Sequence, residues 1–378
     1  MLIDDQLYGE YEFPDYVGEL LETSLMQRTK DISQDVLPGN MRSWLVPSRY
    51  MHCLGVCRNM CEVIDRNLGI ASYATQLCIS SLLHDAGNAA LSHLSEPFLK
   101  RLLGKDGESF LENLIARHGI APLIERLGVS VERVLGIVTG SFRPLATVLH
   151  GSIDCDNLDN VIRYWKAHHP GENRYDPLRI AAAFRFDSQR WYLQDTAVEQ
   201  VKAWQATRKD VYGIIYGDPN LNGSMMIYRA VSLAFDAGEL NEDFFALSDT
   251  QAIDFLRGCN QHTRYLVQQA CAGDLYPVIF TYETVAPDTS FERSCLNADG
   301  RTLLANSLCE QLNIPPGAIC VYLGIGRDIR SIDLPFIGDD RAFTLESTAS
   351  PIFRCKIFLD PNFRSDRARL VRIVKGIL

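Results

Sequence analysis

The sequence has no run near the ~20 consecutive apolar residues that a membrane-spanning helix requires, so no membrane association is expected. It also lacks an excess of basic residues: 37 Lys and Arg stand against 47 Asp and Glu, a formal net charge of −10. Extended binding to nucleic acid or to anionic membrane rewards clustered cations, and neither is expected here. A small anionic ligand in a locally basic pocket stays open. The opening MLIDDQLYGEYEF is acidic where a secretory signal is basic and then apolar. The 11 cysteines are odd in number and lack the spacing of a disulfide scaffold, a pattern that fits a reducing cytoplasm. No internal repeat or low-complexity tract is visible. Histidine is scarce, eight in 378 residues, so the position of each one carries information.

What is present suits a globular enzyme. Hydrophobic residues make up 47% and charged residues 22%, and the length allows a sizeable core in two lobes or in one domain with an appendage. Residues 1–240 read as helix after helix, with apolar positions three and four apart in DYVGELLETSLMQ, MHCLGVCRNMCEVI, ATQLCISSLLHD and SFLENLIARHGIAPLIERLG. One hairpin is expected around FRFDSQRWYLQD, turning at Ser188–Arg190. From 241 to 378 the texture changes. YPVIFTYETV, GAICVYLGIG and SPIFRCKIFLDP are rich in β-branched and aromatic residues and read as strands, with helices at Arg301–Gln311 and Asp366–Ile377. The expected fold is therefore mostly α, a helical core with a smaller α+β C-terminal lobe. Cys53, Cys57 and Cys61 share one helical face and read as core packing, since cysteine behaves as a small hydrophobe.

His84 and Asp85 follow the apolar run LCISSLL. Adjacent helical positions point ~100° apart, so both side chains converge on one point only with something between them. A divalent metal is the usual occupant, and imidazole with carboxylate suits Zn, Fe, Mn or Ni. By itself the dipeptide is a weak signal. His52 on an earlier helix and Asp156 at the head of a later one complete a candidate quartet.

In order along the chain, these segments resemble the HD superfamily. Within it the likeness is to the SAM- and HD-domain deoxynucleoside triphosphate triphosphohydrolases and their bacterial relatives, although no segment reads as a SAM domain. IDDQLYGEYEF and TSLMQRTKDISQ look like the family's opening, and SRYMHCLGV like its Arg-x-x-His motif. LLHDAGNAALSHLSE looks like its His-Asp run, SIDCDNLDNVIRYW like the segment that supplies the last ligand, and ATRKDVYGIIYGD like its Ala-Arg helix. The resemblance implies an HD-type helical catalytic domain. Its metal, Fe, Mn, Zn, Ni or Co with Mg as an alternative, would be held by His52, His84, Asp85 and Asp156. It further implies Arg49 as a phosphate clamp, His93 as general acid oriented by Glu96, and Gln34, Arg208 and Tyr216 as contacts to sugar or phosphate. Family members assemble, so a homo-oligomer, dimer or tetramer, is expected.

The pattern also fails in places. Asn88 and Gly107 stand where the family has His, and Asn157, Asn160 and Tyr164 replace its basic, Tyr and Asp positions. The position after Gln34 is Asp35, where the family places an apolar side chain against the sugar. A carboxylate there could accept a bond from a 2′-hydroxyl. The expected function is hydrolysis of a nucleotide or nucleotide-like phosphoester other than a standard deoxynucleoside triphosphate. Two alternatives stay open: a degenerate HD protein that binds a nucleotide and regulates a partner, and an HD-type diiron oxygenase, for which the chain looks short of histidines. GIGR at Gly324–Arg327 reads as a turn.

Overall fold

Short polar residues at the heads of the periodic stretches start the helices that build the site. Ser48 Oγ accepts the Met51 N–H at 3.3 Å and opens the helix Arg49–Asp65. Asp106 and Ser109 cap each other's backbone in a reciprocal box that starts Gly107–His118. Asp154 accepts the Asn157 N–H at 2.8 Å and starts Cys155–His168. Ala74–Leu83, Val198–Ile215, Asp218–Asp236 and Gln261–Ala272 complete the main helical framework. The computed structural model describes residues 1–35, 47–187, 189–285, 300–326, 330–338, 342–345 and 352–377.

The strands are few. β1 (Leu2–Asp5) and β2 (Gly9–Glu12) form an antiparallel hairpin that sequence analysis did not anticipate, because LIDD and GEYE are short, charged and without an alternating apolar face. β3 (Phe184–Phe186) pairs with β4 (Trp191–Gln194) as the expected hairpin; Ser188 of its turn lies outside the described residues. β5 (Val278–Val285) and β6 (Ile319–Ile325) match expected strands. β7 (Ile332–Ile337) and β8 (Ala342–Leu345) were not foreseen, and β9 (Ile352–Leu359) was. One antiparallel sheet runs β5–β9–β6, flanked by the helices Gly300–Leu312 and Arg367–Ile377. The other runs β3–β4–β7–β8, with β7 parallel to β4. GIGR proves to be the end of β6 through Ile325, with Arg327 outside the described residues.

The architecture is mostly α with a smaller α+β lobe. Its texture changes near 240, yet packing runs across that point: one apolar core joins Leu54, Leu82 and Phe110 to Phe245, Leu266 and Phe358. A second gathers Leu158, Trp204 and Trp191 with Leu334 and Phe336 of β7. Through β7 the C-terminal segment returns to the helices that carry the site.

Candidate functional site

The helix Ala74–Leu83 ends just before the His-Asp pair. His84 caps it with φ −54° and ψ −39°, and Asp85 falls in the following turn, released from helical spacing. Both side chains therefore reach the same point as His52 from the facing helix. His52 Nε2 lies 3.2 Å from His84 Nε2, 3.0 Å from Asp156 Oδ1 and 3.5 Å from Asp85 Oδ2. His84 Nε2 is 3.6 Å from Asp85 Oδ2 and 3.9 Å from Asp156 Oδ1. Asp156 sits in the first turn of its helix because Asp154 is the cap. His52, His84 and Asp85 thus offer ligand atoms within 4.8 Å of one another, and Asp156 lies beside both rings.

The outward nitrogens of both rings are occupied. His84 Nδ1 donates to the Ser81 carbonyl at 2.8 Å, and His52 Nδ1 to Asp159 Oδ1 at 2.7 Å. In the neutral tautomers these bonds select, both Nε2 lone pairs face two carboxylates. Four donors converging at such separations repel unless a cation lies among them, and the set is one that divalent transition metals accept. The same demand is visible in the proton equilibria. Burial alone would lower His52, but Asp156 and Asp159 hold its imidazolium up to about 9. Burial lowers His84. Asp85 stays below the usual carboxylate range because Arg49, then His84, outweigh its burial.

Around this point opens a cavity of about 670 Å³. Arg49, Asn88, His93, Glu96, Asn157 and Arg208 line it. Arg49 is buried and pairs with Asp85, and its Nη2 lies 3.5 Å from His93 Nε2. His93 Nδ1 bonds Glu96 Oε2 at 3.0 Å, which turns Nε2 toward the cavity. Asn88 Nδ2 donates to Asp85 Oδ1 at 2.7 Å, and Arg208 Nη1 to Asn157 Oδ1 at 2.8 Å.

No family model matches the chain. Over 184 residues it is 25% identical to a deoxynucleoside triphosphate triphosphohydrolase SAMHD1 homolog of Dictyostelium discoideum, a match covering 43% of this chain and 35% of that protein. Over 136 residues it is 27% identical to the uncharacterized protein YdhJ of Bacillus subtilis (strain 168), covering 36% of this chain and 39% of that one. The matches therefore span well under half the length of either relative. A crystal structure of a hypothetical protein from Aquifex aeolicus superposes with a TM-score of 0.77 over 98% of this chain and 99% of that one, at 15% identity. That similarity concerns the fold. The partial sequence likeness supports relatedness to HD-domain proteins.

Three expected contacts do not line the cavity. Asp35 does not line the cavity: its Oδ2 accepts from Tyr164 Oη at 3.2 Å and Asn220 Nδ2 at 2.7 Å, tying two helices together. Gln34 is buried, and its amide has no hydrogen-bond partner among the described residues. Tyr216 ends its helix against the C-terminal lobe, its ring 6.0 Å from that of Tyr322 and 4.6 Å from the Arg354 guanidinium. Tyr212, one turn earlier, lines the cavity instead and accepts from Arg208 Nη2 at 3.2 Å.

Sequence reasoning also missed the supports. Asp159, fully buried, accepts from His52, from Arg163 Nη2 at 2.8 Å and from Tyr8 Oη at 3.0 Å, and Arg163 reaches on to Asp5 at 3.0 Å. Its signal was its place one turn after Asp156. Gly55 makes room for it: a Cβ there would meet Asp159 Oδ2 at 1.8 Å. The loop bearing His93 is strained at Leu91 and Ser92, with φ of 64° and 49°. Asp249 holds it, accepting the Leu91 N–H at 2.7 Å and the Ser33 N–H at 3.0 Å. Arg330, just before β7, enters the cavity and bonds the Gly151 carbonyl. No motif marked it, because the pairing of β7 with β4 that delivers it is a long-range event.

Gly107 explains one departure from the family pattern. Its Cβ position is 2.7 Å from Asn88 Oδ1, so a side chain at 107 would have to move the Asn88 amide that bonds Asp85. Next to it, partial burial and the nearby Asp106 raise Glu108 to about 7, although His150 opposes them. Burial and the Asp156 charge likewise raise Asp154 to about 7.

Proposed function

We propose that the protein is a metal-dependent phosphohydrolase acting on a nucleotide or nucleotide-like phosphoester. The observation that carries this reading is the convergence of His52, His84, Asp85 and Asp156 at a cavity that also presents Arg49, Arg208 and Arg330. The partial likeness to a deoxynucleoside triphosphate triphosphohydrolase supports it. The four side chains would hold a divalent transition ion. Such an ion, when bound, lowers the pKa of a water and polarises a phosphoryl oxygen. The guanidiniums bind and orient phosphate oxygens. As the hydroxyl of water adds to phosphorus and the P–O bond breaks, His93 Nε2 gives its proton to the departing oxygen. Glu96 keeps that ring in place through its bond to Nδ1.

The lining favours a substrate with fewer charges than a triphosphate. Three guanidiniums face six carboxyl groups: Asp85, Glu96, Asp106, Glu108, Asp154 and Asp156. Asp85 and Asp156 belong to the metal quartet, and the other four repel a long polyphosphate or hold protons. Asp35 takes no part in choosing the sugar, since that carboxylate lies outside the cavity. Homo-oligomeric assembly remains part of the proposal, and light scattering at micromolar concentration tests it. Metal analysis tests the functional class: one ion per chain supports the hydrolase, two irons the oxygenase, and none at any metal concentration a binding module.

A further inference from the structure

The two helices that bring His52 and His84 together also hold three buried thiols farther along their length. Cys57 and Cys61 lie one turn apart on Arg49–Asp65, and Cys78 faces them from Ala74–Leu83. The three sulfurs lie within 4.8 Å of one another, and Cys61 Sγ is 3.7 Å from Cys78 Sγ. Their exposures are 0%, 6% and 3%. Ordinary core packing accounts for Cys53 on the same helical stripe, which stays outside the group. It does not account for three thiols turned toward one another from two helices, with phenols added. The partly buried Tyr11 and Tyr16 pack against the same core. The Arg58 guanidinium lies 4.0 Å above the Tyr11 ring, supplying positive charge beside sulfurs that would be negative when ligated.

Sulfurs on one ion with metal–sulfur bonds of ~2.3 Å stand ~3.8 Å apart in a tetrahedral set and ~4.0 Å apart in a trigonal one. The observed spacing needs shifts of under about an ångström to reach either. No His, Asp or Glu belongs to this group among the described residues. A structural zinc site closes with four ligands, whereas soft thiolates suit Cu(I), for which three can suffice. We propose that Cys57, Cys61 and Cys78 form a three-sulfur site for Cu(I). Binding releases the thiol protons to solvent and involves no change of oxidation state. It ties together the two helices whose spacing sets the His52–His84 contact.

The test is an anaerobic Cu(I) titration of the reduced full chain against a chromogenic Cu(I) chelator, with X-ray absorption counting sulfurs in the loaded wild type. One ion per chain is expected, with three sulfur neighbours. Its affinity should be unchanged in Cys53→Ser and His84→Ala and at least tenfold weaker in Cys61→Ser and Cys78→Ser. Wild type releasing Cu(I) as readily as Cys61→Ser would overturn the proposal. If the serine variants do not fold, the sulfur count in wild type decides, and fewer than three overturns it.

Discussion

The two ends of the cavity are built differently. At the inner end, each ring of the quartet is fixed by a partner outside the site: His52 by Asp159, and His84 by the Ser81 carbonyl. At the outer end the polar side chains bond to one another, His93 to Glu96 and Arg208 to Asn157. The inner end is preorganised for an occupant that the protein does not itself provide. The outer end is partly self-satisfied, so a ligand there replaces bonds that already exist. Substitutions at the inner end should therefore abolish function, and those at the outer end should grade it.

The largest effect is expected at the ligands. His84→Ala or Asp85→Ala should remove bound metal and all turnover, because three ligands lose geometry as well as affinity. Elemental analysis of the purified variants checks this, and unchanged metal in both would contradict the quartet. Next comes His93→Ala, expected to keep its metal but to lose ~10²–10⁴-fold in kcat, the usual contribution of a general acid. Near-full activity would place the proton donor elsewhere. Asp159→Asn probes the support alone. It leaves Arg163 with Asp5 as its remaining buried carboxylate and His52 without a charged acceptor, and it should weaken metal binding by about 10–100-fold. A metal affinity equal to wild type would show that Asp159 serves only the fold.

These predictions divide along the line between what the residues announced and what they did not. The quartet was read from the ordered HD-like segments, since the adjoining His84 and Asp85 were a weak signal by themselves. Most long helices were legible from apolar spacing, and β5, β6 and β9 from β-branched runs. The N-terminal hairpin was not, since its short charged strands depend on packing over the helices. Arg330 escaped notice because it arrives through the β7–β4 pairing, a contact between positions more than a hundred residues apart in sequence. Asp35 and Tyr216 were placed at the cavity by resemblance, whereas Asn220, Tyr164 and Tyr322 hold them elsewhere.

The smallest effect on chemistry is expected from Asp35→Leu. It should leave the ribose-to-deoxyribose preference within about twofold. Stability should fall by about 1–3 kcal/mol, because the buried donors of Tyr164 and Asn220 lose their acceptor. Matched kinetics on ribo and deoxyribo substrates, together with denaturant unfolding, separate the two quantities. A changed sugar preference at unchanged stability would return Asp35 to the site.

The most direct test of the central claim is a phosphate-release screen. Chelator-stripped wild type and His84→Ala would be supplied in turn with Mn, Fe, Co, Ni and Mg and assayed on nucleoside mono-, di- and triphosphates. The account predicts metal-dependent hydrolysis by wild type alone, with mono- or diphosphates exceeding deoxynucleoside triphosphates. Hydrolysis by His84→Ala equal to wild type, or none by wild type with any metal, would contradict it.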